Sequence, residues 1–255
     1  MIIIALPILL IGGIPFKFFA VILGLFALYE LLKVKETEKE FPAFLKFISF
    51  IILAFIIYFG SNNDISYHLE YMYIIFPFFF VFLPIIFINN NSKYNINDAL
   101  FLIGSIIFLG IVFNIFIIVR ETNLNNFIYL LLITIFTDTF ALISGKLIGR
   151  HKLCEKISPN KTVEGTICGS IFGTIIATMY YYIIINSSIN ILFIITVTLI
   201  LSIIGQLGDL FFSSIKRNYN VKDFSNLIPG HGGILDRLDS LIFVIMLYML
   251  FINIL

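Results

Sequence analysis

Residues 213–240 read "SSIKRNYNVKDFSNLIPGHGGILDRLDS". Only 12% of the chain is charged, yet these 28 residues hold three acids, four bases and one of the three histidines. The sequence turns apolar on both sides, at 190–212 and again at 240–255. These runs approach the roughly 17–25 residues that a spanning helix requires, so the polar island belongs at a membrane face.

Further apolar runs lie at about 2–14, 16–32, 47–60, 71–88, 100–119, 127–144 and 166–185. Hydrophobic residues make up 60% of the 255, and 30 are Phe, which excludes a water-soluble domain of ordinary composition. The expected fold is all-α, a polytopic membrane bundle of about nine transmembrane helices, or eight if the first two runs form one span. The first run lacks a positively charged leader and an A-x-A cleavage site, so it is read as structure and not as a signal peptide. The whole chain, 1–255, is read as one domain, with 1–125 mainly scaffold, 126–240 carrying the chemistry and 240–255 the last span. The first half has almost no ionisable residue within a span.

Basic residues give the orientation, because Lys and Arg accumulate in cytoplasmic loops. Lys33, Lys35, Lys39, Lys46, Lys93, Lys146, Arg150, Lys152, Lys156, Lys161, Lys216, Arg217, Lys222 and Arg237 fall on one side, 14 of the 16 basic residues. Lys17 and Arg120 fall on the other. Both long polar loops are thus expected in the cytoplasm, at the plasma (inner) membrane. Cys154 and Cys168 lack CxxC spacing and read as unpaired thiols.

Two islands of polar residues stand out in the second half. In "LLITIFTDTFALISGKLIGR" (131–150), Asp138 sits deep in an apolar helix with Thr134, Thr137 and Thr139 around it. A carboxylate there is costly unless it faces a polar cavity or a cation. It could also bond to the threonines or to a Lys and serve packing alone. The loop that follows contains "SPNKTVEG" (158–165), in which Ser158, Lys161, Thr162 and Glu164 surround a helix start. Hydroxyls, a Lys and backbone N–H groups at such a start suit phosphate, although a solvated loop with a Thr cap explains them equally well.

The second island starts inside "IIGQLGDLFFSSIKR" (203–217). Steps of four place Gly205, Asp209, Ser213 and Arg217 on one helical stripe, with Lys216 beside them. Gly205 and Gly208 suit close helix packing, but packing does not explain Asp209. "PGHGG" (229–233) is a tight turn whose backbone can approach a ligand. Asp236 and Asp239, three apart, share a face at the start of the last span. Two such carboxylates repel each other. A hard cation such as Mg²⁺ resolves the repulsion, with Asp209 as a third oxygen donor. Simple salt bridges of these acids to Arg237 and Lys222 are the plainer alternative. Acids for a metal beside Lys216, Arg217, Lys222, His231 and Arg237 suit a metal-bound polyphosphate.

These residues resemble the phosphatidate cytidylyltransferases, or CDP-diacylglycerol synthases. The family's C-terminal motif is matched by Ser213, Lys216, Arg217, Lys222, Asp223, Pro229, Gly230, His231, Gly232, Gly233, Asp236, Arg237 and Asp239, with no position missing. Asp138, the segment 158–165 and "GDL" at 208–210 match upstream features. The resemblance implies transfer of cytidylyl from CTP to phosphatidic acid with Mg²⁺ as cofactor. It implies Asp209, Asp236 and Asp239 as metal ligands, with Asp138 behind them. Lys216, Arg217, Lys222, Asp223, His231 and Arg237 are then catalytic, and Ser158, Lys161, Thr162, Glu164, Ser213, Gly232 and Gly233 bind substrate. The partners are the two substrates and the lipid bilayer, with no nucleic acid; a homodimer is left open.

The chain departs from the family pattern after Asp138, where Phe140, Ala141, Ser144, Gly145 and Lys146 replace a Tyr and a Gly-Arg pair, and Gly149–Arg150 stands where Gly-Lys is commoner. Lys146 and Arg150 are therefore left outside the site. An ion-coupled transporter is the competing class, since Asp138 and Asp209 are intramembrane acids. It calls for polar groups near both faces, whereas here they converge on one. The CDP-alcohol phosphotransferases need a D-x-x-D-G run that this chain lacks.

Overall fold

The computed structural model describes residues 2–60, 71–88, 94–227, 230 and 232–252. Among these residues every apolar run forms a helix: α1 Ile2–Ile11, α2 Gly13–Lys35, α3 Ala43–Gly60, α4 Tyr71–Phe87, α5 Ile96–Thr122, α6 Leu124–Ile148, α7 Val163–Tyr180, α8 Ile191–Asn218 and α9 Leu235–Phe251. Lipid offers no partner for backbone N–H and C=O groups, so a spanning segment must satisfy them internally, and an isolated span does so as a helix. Six are long and apolar enough to cross a membrane: Gly13–Lys35, Ala43–Gly60, Ile96–Thr122, Leu124–Ile148, α7 with its π-helical extension to Ile185, and Ile191–Asn218. Leu142, Leu147, Ile183 and Leu192 lie exposed on these helices, as suits side chains facing lipid. This is a multi-pass membrane protein.

Several helices outrun their apolar runs. α2 continues to Lys35 and α8 to Asn218, because Lys, Glu and Arg keep good helix propensity where hydrocarbon gives way to polar surroundings. The first two runs are separate helices. α1 stops at Gly12, which has a left-handed φ of 68°, and Arg120 donates from Nε to the Leu9 carbonyl (2.5 Å) and from Nη2 to the Leu10 carbonyl (2.9 Å). The all-α expectation has one small exception among the described residues, the antiparallel pair β1 Lys152–Cys154 and β2 Ser158–Thr162, with Lys152 opposite Thr162 and Cys154 opposite Ser158.

The chain divides into two compact units. The first comprises Met1–Glu121 and Asp223–Ile234. Its core includes Leu28, Leu53, Ile57 and Phe113. Lys39 and the buried Asp98 form an ion pair at 2.6 Å. Glu30, on α2, is fully buried, and its Oε1 accepts from Ser225 Oγ (2.6 Å) and from the Ile234 backbone N–H (2.8 Å).

The second unit comprises Thr122–Lys222 and Leu235–Leu255. α6 and α7 pack closely because Gly165, Gly169 and Gly173 line one face of α7 at steps of four. A Cβ at Gly169 would stand 2.6 Å from the Thr137 carbonyl and 2.7 Å from Ala141 Cβ. Tyr129, Tyr181 and Tyr248 meet edge to face in the core, and the Tyr129 hydroxyl bonds to Thr198 Oγ1 at 2.6 Å. Such aromatic contacts add about 0.5–1.5 kcal/mol each beyond area burial.

Candidate active site

The polar residues of the second unit gather from α6, the β1–β2 hairpin, α8 and α9. Asp209 and Ser213 are one turn apart on α8, and Ser213 Oγ donates to Asp209 Oδ1 at 3.2 Å. The other carboxylate oxygen takes Lys161, the penultimate residue of β2, at 2.6 Å. Lys161 and Asp209 are each about one quarter exposed, so the pair opens onto accessible space. One turn beyond Ser213, the buried Lys216 pairs with Asp236 of α9 at 2.6 Å.

α8 and α9 meet closely at this point. A Cβ on Gly208 would fall 2.8 Å from Phe243 Cβ and 2.9 Å from the Asp239 carbonyl, so glycine lets the backbone that bears Asp239 approach the helix that bears Asp209. Asp239 lies within electrostatic range of Asp209, Asp138 and Lys216. Asp138, on α6, lies within range of Asp209 and Lys161 and close to Ser240. The Ser240 hydroxyl is buried with no partner at hydrogen-bond distance among the described residues. Asp138 does not take its neighbouring threonines: Thr134 and Thr139 donate to carbonyls of their own helix, and Thr137 bonds to Ser202 at 2.8 Å.

The donor set has the chemistry of a hard-cation site. Asp138, Asp209 and Asp239 are carboxylates from three helices, and Ser240 adds a buried hydroxyl beside Asp138; Mg²⁺ takes oxygen ligands of this kind. Among the described residues, no three Asp, Glu, His or Cys side chains already stand at ligand spacing. Lys161 and Lys216 lie on two of the four acids instead.

Segment 158–164 is a hairpin strand leading into a capped helix. Thr162 Oγ1 accepts from the Gly165 N–H, so its hydroxyl is used in the cap. Glu164 reaches back to His151 Nδ1 at 2.6 Å and to the Arg150 N–H at 3.0 Å, closing the loop on itself. Ser158 pairs in the strand opposite Cys154. Arg217 turns outward, donating to the carbonyls of Ile157 (3.2 Å) and Val221 (3.0 Å), and so holds the hairpin to the end of α8. Lys222 and Arg237 are exposed.

Asp223, Gly232 and Gly233 belong to the first unit. Gly230 and Gly232 have φ of 73° and 82°, as a tight turn needs. Pro229 and His231 lie outside the described residues. Cys154 and Cys168 are free thiols. Residues that the sequence did not single out are Ser240, His151 and Gln206, whose Nε2 donates to the Thr166 carbonyl (3.1 Å) and to Ser170 Oγ (2.7 Å). Ser240 had a signal, since it follows Asp239 directly.

The sequence model of the cytidylyltransferase family matches residues 1–255. The chain is 40% identical over 241 residues to the phosphatidate cytidylyltransferase of Staphylococcus haemolyticus, covering 94% of this chain and 90% of that protein. It is 38% identical over 244 residues to the same enzyme of Staphylococcus aureus, covering 95% and 92%. For the Staphylococcus epidermidis enzyme the identity is 37% over 243 residues, covering 94% and 90%. With a family match over its whole length and relatives this similar across nine-tenths of both chains, the protein belongs to the cytidylyltransferase family.

Proposed function

We propose that this protein transfers cytidylyl from CTP to phosphatidic acid, releasing pyrophosphate and forming CDP-diacylglycerol for phospholipid synthesis. The observation that carries the reading is the paired cluster of lysines and carboxylates: Lys161 on Asp209, Lys216 on Asp236, and Asp138 and Asp239 within electrostatic range of them. A site that must hold both a polyphosphate and its counter-cation needs movable cations and clustered acids together. Family membership and the phosphatidate cytidylyltransferase relatives support the same choice of substrates.

A phosphate oxygen of phosphatidate attacks the α-phosphorus of CTP, a new P–O bond forms, and the bond to the β-phosphate oxygen breaks. The nucleophile belongs to the substrate, so no Ser, Cys or His of the chain needs to form a covalent intermediate. The protein's part is positioning and charge stabilisation. Asp209 and Asp239, with Asp138 and Ser240 behind them, would hold Mg²⁺, which when bound offsets the negative charge of the triphosphate. Lys161 and Lys216 exchange their carboxylates for substrate phosphate oxygens. Arg217 keeps the hairpin in place, so that Lys161 is presented to the cluster.

The basic side, and the site with it, faces the cytoplasm of the inner membrane, where a soluble nucleotide meets a lipid headgroup. The reading holds for one chain and requires no second copy. Purified protein in phosphatidate-containing vesicles should convert radiolabelled CTP into chloroform-soluble product only when Mg²⁺ is present. Absence of product with phosphatidate, CTP and Mg²⁺ all supplied overturns the proposal.

A further inference from the structure

Glu30 lies in the apolar helix α2, fully buried and remote in sequence from the motif that carries the chemistry. A carboxylate removed from water is costly unless charge-assisted hydrogen bonds satisfy it. Two of the bonds Glu30 receives come from the segment 223–234: the Ser225 hydroxyl at 2.6 Å and the Ile234 backbone N–H at 2.8 Å, both on Oε1. Ser225 and Phe224 are buried in the same unit. Both ends of the stretch that contains the glycine turn are thus tied to one carboxylate.

Gly233 supplies an independent observation. A Cβ at that position would stand 2.6 Å from Glu30 Oε1 and 2.8 Å from Cδ and Oε2, closer than side-chain carbons approach such atoms. The last glycine of "PGHGG" is therefore the residue that leaves room for the carboxylate. Its φ does not lie in the left-handed region, so conformational freedom is not what selects glycine there. The next residue after the anchored Ile234 opens α9, and Asp236 follows one further on.

We propose that Glu30 is a positioning residue for the transfer reaction: its carboxylate anchors Ser225 and Ile234, which lie on either side of the motif glycines Gly232 and Gly233. This rests on the cytidylyltransferase reading of the site. Ser225 and Ile234 need an acceptor in that place, and a Gln amide oxygen can serve as one.

The test uses full-length protein in vesicles, measuring CTP-dependent turnover and hydrogen exchange peptide by peptide. Glu30→Ala should lower kcat by on the order of 100-fold, the size expected when reacting groups shift by about 1 Å. The KM for CTP should change little, while deuterium uptake rises in the peptide spanning 223–234 and stays unchanged in α3 and α5. Glu30→Gln should restore most of the lost rate. Gly233→Ala should be harmful in wild type and add little in the Glu30→Ala background, because the atoms it strikes are gone. If Glu30→Ala does not accumulate in membranes, Glu30→Asp, one methylene short, carries the same expectations. Wild-type rates with unchanged exchange at 223–234, or a Gly233→Ala loss that persists in full without the Glu30 carboxylate, overturn the assignment. An inactive wild type overturns the reaction instead, so the two failures are distinct.

Discussion

Lys161 Nζ stands 2.6 Å from Asp209 Oδ2, joining a two-stranded hairpin to a spanning helix across 48 positions of sequence. The hairpin lysine and the intramembrane acid therefore act on one another. Lys161→Ala should lower kcat/KM by about 10- to 100-fold, a range typical for residues that support a metal-bound centre. Lys161→Arg, which keeps the charge, should lose less. In a double-mutant cycle with Asp209→Glu the two losses should fall short of additive by about 0.5–3 kcal/mol. Strictly additive losses in steady-state assays would refute a shared role.

Lys216 and Asp236 make a tighter, more enclosed pair, with side chains about 10% and 7% exposed. Removing one partner leaves the other charged in a dry place, which costs about 3–5 kcal/mol. Asp236→Asn should lower the thermal midpoint in detergent as well as the activity. The double variant Asp236→Asn with Lys216→Met should recover the midpoint but not the activity. Recovery of both would show that the pair is structural alone.

Asp138 and Asp209 should respond differently to Mg²⁺. Asp209 is bonded to Lys161 and Ser213, whereas Asp138 lies beside the Ser240 hydroxyl. Asp138→Asn should keep measurable activity that rises as Mg²⁺ is titrated, and Asp209→Asn should stay inactive. Rescue of Asp209→Asn by Mg²⁺, with Asp138→Asn dead throughout, would reverse the order of the two acids around the metal. EDTA should abolish wild-type turnover.

Gly169 and Gly104 make a paired test of packing. A Cβ at Gly169 meets the Thr137 carbonyl and Ala141, while one at Gly104 meets nothing within 4 Å. Gly169→Ala should therefore destabilise by about 1–3 kcal/mol, as overpacking does. Gly104→Ala should be neutral or slightly stabilising. Equal unfolding midpoints for the two variants would show that α6 and α7 are not as closely set as described.

Sidedness can be read by cysteine labelling. Substitutions in 145–165 and 213–238 should react only with reagents that reach the cytoplasm. Labelling of Lys161→Cys in intact cells by a membrane-impermeant maleimide would invert the orientation.

The helices were legible in the sequence because lipid leaves a spanning segment so few alternatives. Asp209, Ser213 and Lys216 could be placed together because one turn of helix relates each to the next. The partners across elements were not legible. Nothing local in "SPNKT" says that Lys161 reaches Asp209, and the strand it lies in is short and holds Pro159. The motif holds four bases near its acids and does not say which of them pairs; in the structure it is Lys216 that takes Asp236, while Lys222 and Arg237 are exposed. Glu30 is illegible for a different reason. One carboxylate near the end of an apolar run, three residues before Lys33, looks like the edge of a loop, and only the approach of Gly233 and Ile234 reveals it as an anchor.

Arg120 has a consequence for how the chain reads its own charges during insertion. Its guanidinium is spent on the last carbonyls of α1, where the negative end of the helix dipole sits. A cation so engaged is a cap on a truncated helix and a poor topological counterweight. The ten-residue α1 ends on donors from a side chain 111 positions away, which satisfy carbonyls that the helix itself leaves without an N–H partner.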